Sequence, residues 1–134
     1  MHHFHAVVWL DHREARVFEF NPEDVQKLVI HAHSPNRHIH HKSGSVGAGH
    51  AKEDEQYYHA VAEALVHAGE ILIVGPGQAK TVLFKHMHAH DPKVAAKVAG
   101  IETADHPSDG QIVAHARKYF ERYDKTTPQR ASTT

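Results

Sequence analysis

Residues 70–85 read EILIVGPGQAKTVLFK, and this stretch decides the fold. Ile71, Leu72, Ile73 and Val74 form a short, unbroken apolar run rich in β-branched side chains. Its length and composition predict a strand covered on both faces. Gly75-Pro76-Gly77 ends it at once, because proline offers no N–H to a ladder and glycine tolerates positive φ. Val82, Leu83 and Phe84 then fall in a predicted helix from residue 79 to about residue 88. Strand, glycine turn and helix make half of a βα unit. The turn sits at the carboxyl end of a central strand, where open α/β sheets commonly bind ligands.

Toward the N-terminus the pattern changes. Residues 5–10 carry Ala6, Val7, Val8 and Trp9 as the apolar body of a first strand. After the polar turn 11–14, residues 15–20 alternate, with Ala15, Val17 and Glu19 on one face and Arg16, Phe18 and Phe20 on the other. A second turn at 21–24 leads to a third strand, 25–33, whose apolar content is Val25, Leu28, Val29 and Ile30. Three strands joined by tight turns predict an antiparallel meander. Residues 34–50 (SPNRHIHHKSGSVGAGH) then read as a long loop, a length uncommon in compact domains without a functional reason.

The clearest helix is 52–68, with Tyr57, Val61, Ala64, Leu65 and Ala68 at helical spacing. Glu53, Asp54 and Glu55 suit its N-terminal dipole, and Gly69 is the expected C-cap. Beyond the central βα unit, Asp91-Pro92 starts a short helix to about residue 98, with Asp91 as N-cap and Pro92 at the first helical position. A fifth strand is expected at 100–104. Ser108 or Asp109 caps a last helix to about residue 123, burying Ile112, Val113, Ala116 and Phe120. The fold class is therefore α/β: a mixed five-stranded sheet, formed by the N-terminal meander and two βα units, with helices packed on it. Residues 1–124 form a single domain, and 125–134 a polar C-terminal tail.

Composition bounds the function. With 134 residues, of which 40% are hydrophobic, the chain has the size of one domain and can bury a core. Fifteen Lys and Arg against 16 Asp and Glu give a net charge of −1, which is not the footprint of a protein that coats DNA. Seventeen His are the anomaly. Imidazole titrates near pH ~6.5, so mild acidification swings the charge positive. No Cys is present, hence no disulfide and no thiolate metal site. No apolar run approaches the roughly 20 residues that span a bilayer, and the polar residues 11–14 interrupt the first apolar stretch, unlike a signal peptide. The expectation is a soluble, cytoplasmic protein without membrane partners.

The segments HAVVWLDHREARVFEF (5–20), HHKSGSVGAGHAKEDEQYYHAVAEAL (40–65), ILIVGPGQAKTVLFKHM (71–87) and TADHPSDGQIVAHA (103–116) follow one another in an informative order. This order resembles the central domain of the eukaryotic and archaeal peptide-chain release factor and Pelota family, over about residues 5 to 120. Short stand-alone bacterial proteins of the translational machinery type are similar in layout. The resemblance implies a release-factor-like fold and a ribosome or tRNA partner. In release factors the loop before the long helix carries a Gly-Gly-Gln tripeptide that promotes peptidyl-tRNA hydrolysis. Here it reads Gly44-Ser45-Val46-Gly47-Ala48-Gly49-His50, and the Gly-Gln pair Gly77-Gln78 lies in a different loop. Release activity is therefore not expected. Nor do these residues match the stop-codon-reading and partner-binding domains of full-length factors. What the resemblance leaves is a small domain that docks on the ribosome or tRNA without cutting anything.

The residues placed to do this are Arg37, His38, His40, His41 and Lys42, followed by Ser43, Gly44, Gly47, Gly49 and His50. The cations and imidazolium groups would meet RNA phosphates. A plain connector is the other reading of this loop. Gly75, Gly77 and Lys80 form a candidate anion-binding turn at a helix N-terminus, although the phosphate-loop pattern fails at Val74 and Ala79.

Two further readings stay open. Imidazole ligates Zn, Cu and Ni, and His31 and His33 share a strand face, as His38 and His40 would if extended. These four are candidate ligands for zinc or another divalent transition metal; without one, no cofactor is expected. His86 and His90 share a helix face, while His59 and His67 read as solvated i,i+4 partners of Glu55 and Glu63. Asp11, Asp105 and Asp109 resemble the acidic cluster of an RNase-H-like nuclease, where paired carboxylates hold two Mg²⁺. However, Asp11 also reads as a turn residue and Asp109 as a helix cap. A homo-oligomer without ligand is the remaining outcome.

Overall fold

The computed structural model describes residues 5–32 and 46–126, with side chains for 5–32 and 55–123. Its elements follow as β1 (His5–Leu10), β2 (Glu14–Asn21), β3 (Asp24–His31), α1 (Val46–Ala64), β4 (Glu70–Gly75), α2 (Ala79–His90), α3 (Pro92–Ala95), β5 (Val98–Thr103) and α4 (Asp109–Thr126). The five strands form one sheet in the order β3-β2-β1-β4-β5. β1 pairs antiparallel with β2, and β2 with β3. β4 runs parallel to both β1 and β5. This is the mixed sheet expected from the sequence, with β1 at its centre.

The apolar runs show why both faces are covered. Ala6, Val8 and Leu10 point to one side of β1, joined by Ala15 and Val17 of β2 and Ile71 and Ile73 of β4. α1, α2 and α3 cover that side through Tyr57, Val61, Leu65, Leu83, Met87 and Val94. Val7, Trp9, Phe18, Phe20, Leu72 and Val74 point the other way, onto Ile112, Ala116 and Phe120 of α4. These three recur every fourth residue and form one helical stripe. No helix among the described residues is long and apolar enough to cross a membrane.

Several boundaries differ from the sequence expectation, each for a local reason. α1 begins at Val46, six residues before the expected start. Gly47, Gly49 and His50 therefore belong to its first turns and not to a loop, because a glycine in a helix costs only about 1 kcal/mol and need not stop propagation. The regular helix ends at Ala64, and the chain then tightens, with the amides of Leu65, Val66 and Ala68 bonding to carbonyls three residues back. The carbonyls of Val66 and Ala68 accept from the Lys97 ammonium at 2.7 and 2.9 Å, so a lysine completes the end that Gly69 was expected to cap. β5 starts at Val98, two residues early, and a register irregularity opposite Ile71 and Leu72 accommodates the shift. Ser108 is the cap of α4: its Oγ accepts from the Gln111 amide while Gln111 Oε1 accepts from the Ser108 amide. That exchange is a capping box. β3 is an edge strand, with Val25, Leu28 and Val29 exposed. Lys27 in its middle is a charged edge residue of the kind that discourages strand addition.

Gly75 has a different role from the one its turn implied. Neither Gly75 nor Gly77 takes a left-handed φ. What Gly75 provides is close approach: a Cβ there would collide with the backbone carbonyl oxygen of Leu10. Its own carbonyl accepts from the Ala104 amide at 2.9 Å, which joins the ends of β1, β4 and β5. Gly77, by contrast, faces open space. We expect Gly75→Ala to cost about 2 kcal/mol or more in denaturant unfolding, and Gly77→Ala to stay within about 0.5 kcal/mol of the parent.

Candidate functional site

The carboxyl ends of β1, β4 and β5 lie along one edge of the sheet, and the chain's polar turns gather there. The β1–β2 turn is fixed by Asp11. Its Oδ1 accepts from the amides of Arg13 at 2.8 Å and Glu14 at 3.0 Å, and its own amide donates to Glu14 at 3.1 Å. From α1, the Tyr57 hydroxyl donates to the Asp11 carbonyl at 2.8 Å. The Ala32 amide donates to Arg13 at 2.8 Å and holds the end of β3 against the same turn. α1 leads into β4 antiparallel, so its N-terminal end also lies at this edge. Both attachment points of segment 33–45 are thus on the carboxyl edge.

Beside the turn, Trp9 Nε1 donates to the Asp105 carbonyl at 2.9 Å, and the His106 ring lies 5.1 Å from the Trp9 ring. Arg16 lies over the other part of this cluster, 5.0 Å from the Trp9 ring, with hydrogen bonds to Glu14 and Asp109. Lys27 pairs with Asp109 as well, tying β2 and β3 to the start of α4. The three carboxylates considered for nuclease chemistry therefore have separate tasks: Asp11 holds a turn, Asp109 meets two cations, and Asp105 faces solvent beside His106. They form no metal-ligating group among the described residues.

His31 is exposed at the end of β3, with Nδ1 4.0 Å from Glu14 Oε1. His33, Arg37, His38, His40, His41, Lys42, Ser43 and Gly44 lie outside the described residues. Gly75 and Gly77 border the carboxyl edge. The Lys80 ammonium donates to the Gly77 carbonyl, so an anion at that turn would have to draw it away.

The sequence did not reveal a second cluster, on the helical face between α1 and α2. There His59, His86 and Asp91 converge, in a cleft of about 370 Å³ also lined by Glu55, Gln56 and His90. Asp91 occupies the N-cap position of α3 as expected, but its side chain makes no cap hydrogen bond. Burial, reinforced by His90, lowers the proton affinity of His86, with Asp91 opposing. His59 does meet Glu63, at 3.5 Å, as the i,i+4 spacing implied. The one usable sequence signal was the His86–His90 pair. Its partner lies on another helix, where no spacing rule reaches.

No protein-family model matches the sequence, and no curated protein does. Solved structures match it by shape. Pelota from Thermoplasma acidophilum aligns with 81% of this chain at a TM-score of 0.57 and 19% identity. Pelota from Archaeoglobus fulgidus aligns with 86% at 0.59 and 11% identity. The archaeal translation termination factor aRF1 aligns with 96% at 0.57 and 10% identity. The fold is that of the release-factor and Pelota central domain. This chain spans only 30%, 31% and 42% of those three chains.

The edge makes a pH prediction. Burial raises the Asp11 pKa, but the Glu14 and Arg13 amides and the nearby His106 and Arg13 charges outweigh it and leave it below the ordinary value. A carboxylate with a depressed folded-state pKa stabilises the fold above its unfolded pKa of about 3.9. That contribution is lost as pH falls through the lower, folded value. Asp11→Asn should therefore cost about 1 kcal/mol at neutral pH and show a flatter acid limb than the parent, as read by thermal melts across the acid range.

Proposed function

We propose that the protein is a non-enzymatic component of translation that docks on the ribosome or on tRNA through the carboxyl edge of its sheet. The observation that carries this reading is the shape shared with Pelota and with a protein named as a translation termination factor. The edge supports it, because both attachment points of the glycine- and histidine-rich segment are pinned there, to Arg13 and to the start of α1. Arg37, His38, His40, His41, Lys42, Ser43 and Gly44, with Gly47, Gly49 and His50 in the first turns of α1, would supply the contact. Arg and Lys neutralise phosphates directly, and imidazoles add charge once protonated. The turn at Gly75 and Gly77, with Lys80, lies on the same edge and would add one more cation.

Chemistry at the peptidyl-transferase centre is not part of this role. Two glutamines follow a glycine. Gln78 stands at the N-terminus of α2, within a hydrogen-bonded turn that receives the Thr81 and Val82 amides, and Gln111 is held in the capping box of α4. Both are fixed to the body of the domain, and neither is carried on the segment before α1.

Co-sedimentation with ribosomes through a sucrose cushion tests the proposal. The protein should pellet with ribosomes in the presence of a chelator, less as salt rises, and more below about pH 6.5 than at neutral pH. Arg37→Glu with Lys42→Glu should reduce the pelleted fraction severalfold at moderate salt. Absence of pelleting at every salt and pH, or pelleting unaffected by the double charge reversal, would contradict it.

A further inference from the structure

The helical face opposite α4 carries a cluster that the docking proposal does not use. His59 projects from α1, and His86 from α2 one turn before His90, while Asp91 ends α2. One ligating atom from each of His59, His86 and Asp91 lies within 4.8 Å of the other two. The rings of His59 and His86 meet nearly edge-on, with centroids 6.2 Å apart. His86 Nε2 and Asp91 Oδ2 are both closed off from solvent, yet neither has a hydrogen-bond partner. Two inward-facing polar atoms that close would be expected to find partners, since leaving a buried one unsatisfied costs about 1–3 kcal/mol.

A single cation satisfies both atoms. Imidazole nitrogens and carboxylate oxygens hold Zn²⁺ at about 2.0–2.2 Å, so two ligands of one ion sit roughly 3–4 Å apart. The observed spacing closes to this with small side-chain rotations, the largest by the exposed His59 ring, which would turn from Glu63. Two imidazoles and one carboxylate suit a borderline divalent ion, whereas calcium and magnesium take oxygen ligands.

We propose that His59, His86 and Asp91 form a mononuclear site for a zinc-type divalent transition ion, bridging α1 and α2, with its fourth position open to solvent. This site is distinct from the histidines of segment 33–45, and its histidine and carboxylate donors come from two different helices. Because the ion joins the two helices, loading it stabilises their packing.

The probes are Zn²⁺ and Co²⁺ on untagged, chelator-dialysed full-length protein. Competition titration with a chromophoric chelator should show one tight Zn²⁺ per chain, above the looser binding of the other histidines. His59→Ala is the first variant, since that side chain is exposed and outside the core. Together with Asp91→Asn it should weaken the tight phase by more than the about 10–100-fold that outer-shell changes cost. His31→Ala should leave it unchanged. Co²⁺ should develop the intense visible absorption of a four-coordinate ion, and Zn²⁺ should raise the melting temperature of the parent but not of His59→Ala. Unchanged tight binding in both His59→Ala and Asp91→Asn, or only the weak absorption of six-coordinate Co²⁺, would overturn the site and leave a bridging water as the partner of His86 and Asp91.

Discussion

The parallel pairing of β1 with β4 is the constraint on which the rest depends. These two strands bury consecutive residues on both faces, Ala6 to Leu10 in one and Ile71 to Val74 in the other. Neither can exist at a surface, so the sheet must be sandwiched. That requires the meander on one side of the pair, β5 on the other, α1 to α3 above and α4 below. Gly75 lets the pair close at its carboxyl end against the Leu10 carbonyl. The parallel direction also fixes where the polar turns go. The β1–β2 turn, the β4–α2 turn and the β5–α4 turn all emerge at one edge, and segment 33–45 is anchored beside them.

Much of this was legible because burial on both faces leaves a continuous apolar run, which can be read without knowing its partner. β1 and β4 are of this kind. β2 was legible for a related reason: its alternation puts Ala15 and Val17 on one face and Phe18 and Phe20 on the other, and both faces proved buried. Helix ends were less legible. Lys97 completes the end of α1 from a residue far along the chain, where a local rule named Gly69. The glycines before α1 suggested a loop because their intrinsic cost opposes a helix, but that cost is small beside propagation of a long one. Gly75 was read as a turn glycine that allows positive φ, whereas its reason is close approach to the Leu10 carbonyl, a neighbour that the sequence does not reveal.

The sites divide in the same way. Asp11 as a turn residue and Ser108 as a cap were readable, since their partners lie within three residues. The convergence of His59 with His86 and Asp91 was not, because it arises from packing one helix beside another. Asp91 fits an N-cap pattern so well that the pattern hid its side chain's freedom. The two proposed surfaces are separate: a turn-rich edge proposed to meet a polyanion, and a helix-bridging cleft proposed to hold a small cation. The proposed docking needs no metal, and the proposed metal site needs no ribosome.

The central claim is that the carboxyl edge is the working face of this domain. An electron cryomicroscopy reconstruction of ribosomes saturated with the protein tests it most directly. The account predicts density for the five-stranded domain with the Asp11 turn, the Gly75-Pro76-Gly77 turn and the start of α1 directed at ribosomal RNA or tRNA. A domain bound instead through the exposed edge strand β3 or the outer surface of α4, with the carboxyl edge in solvent, would contradict it.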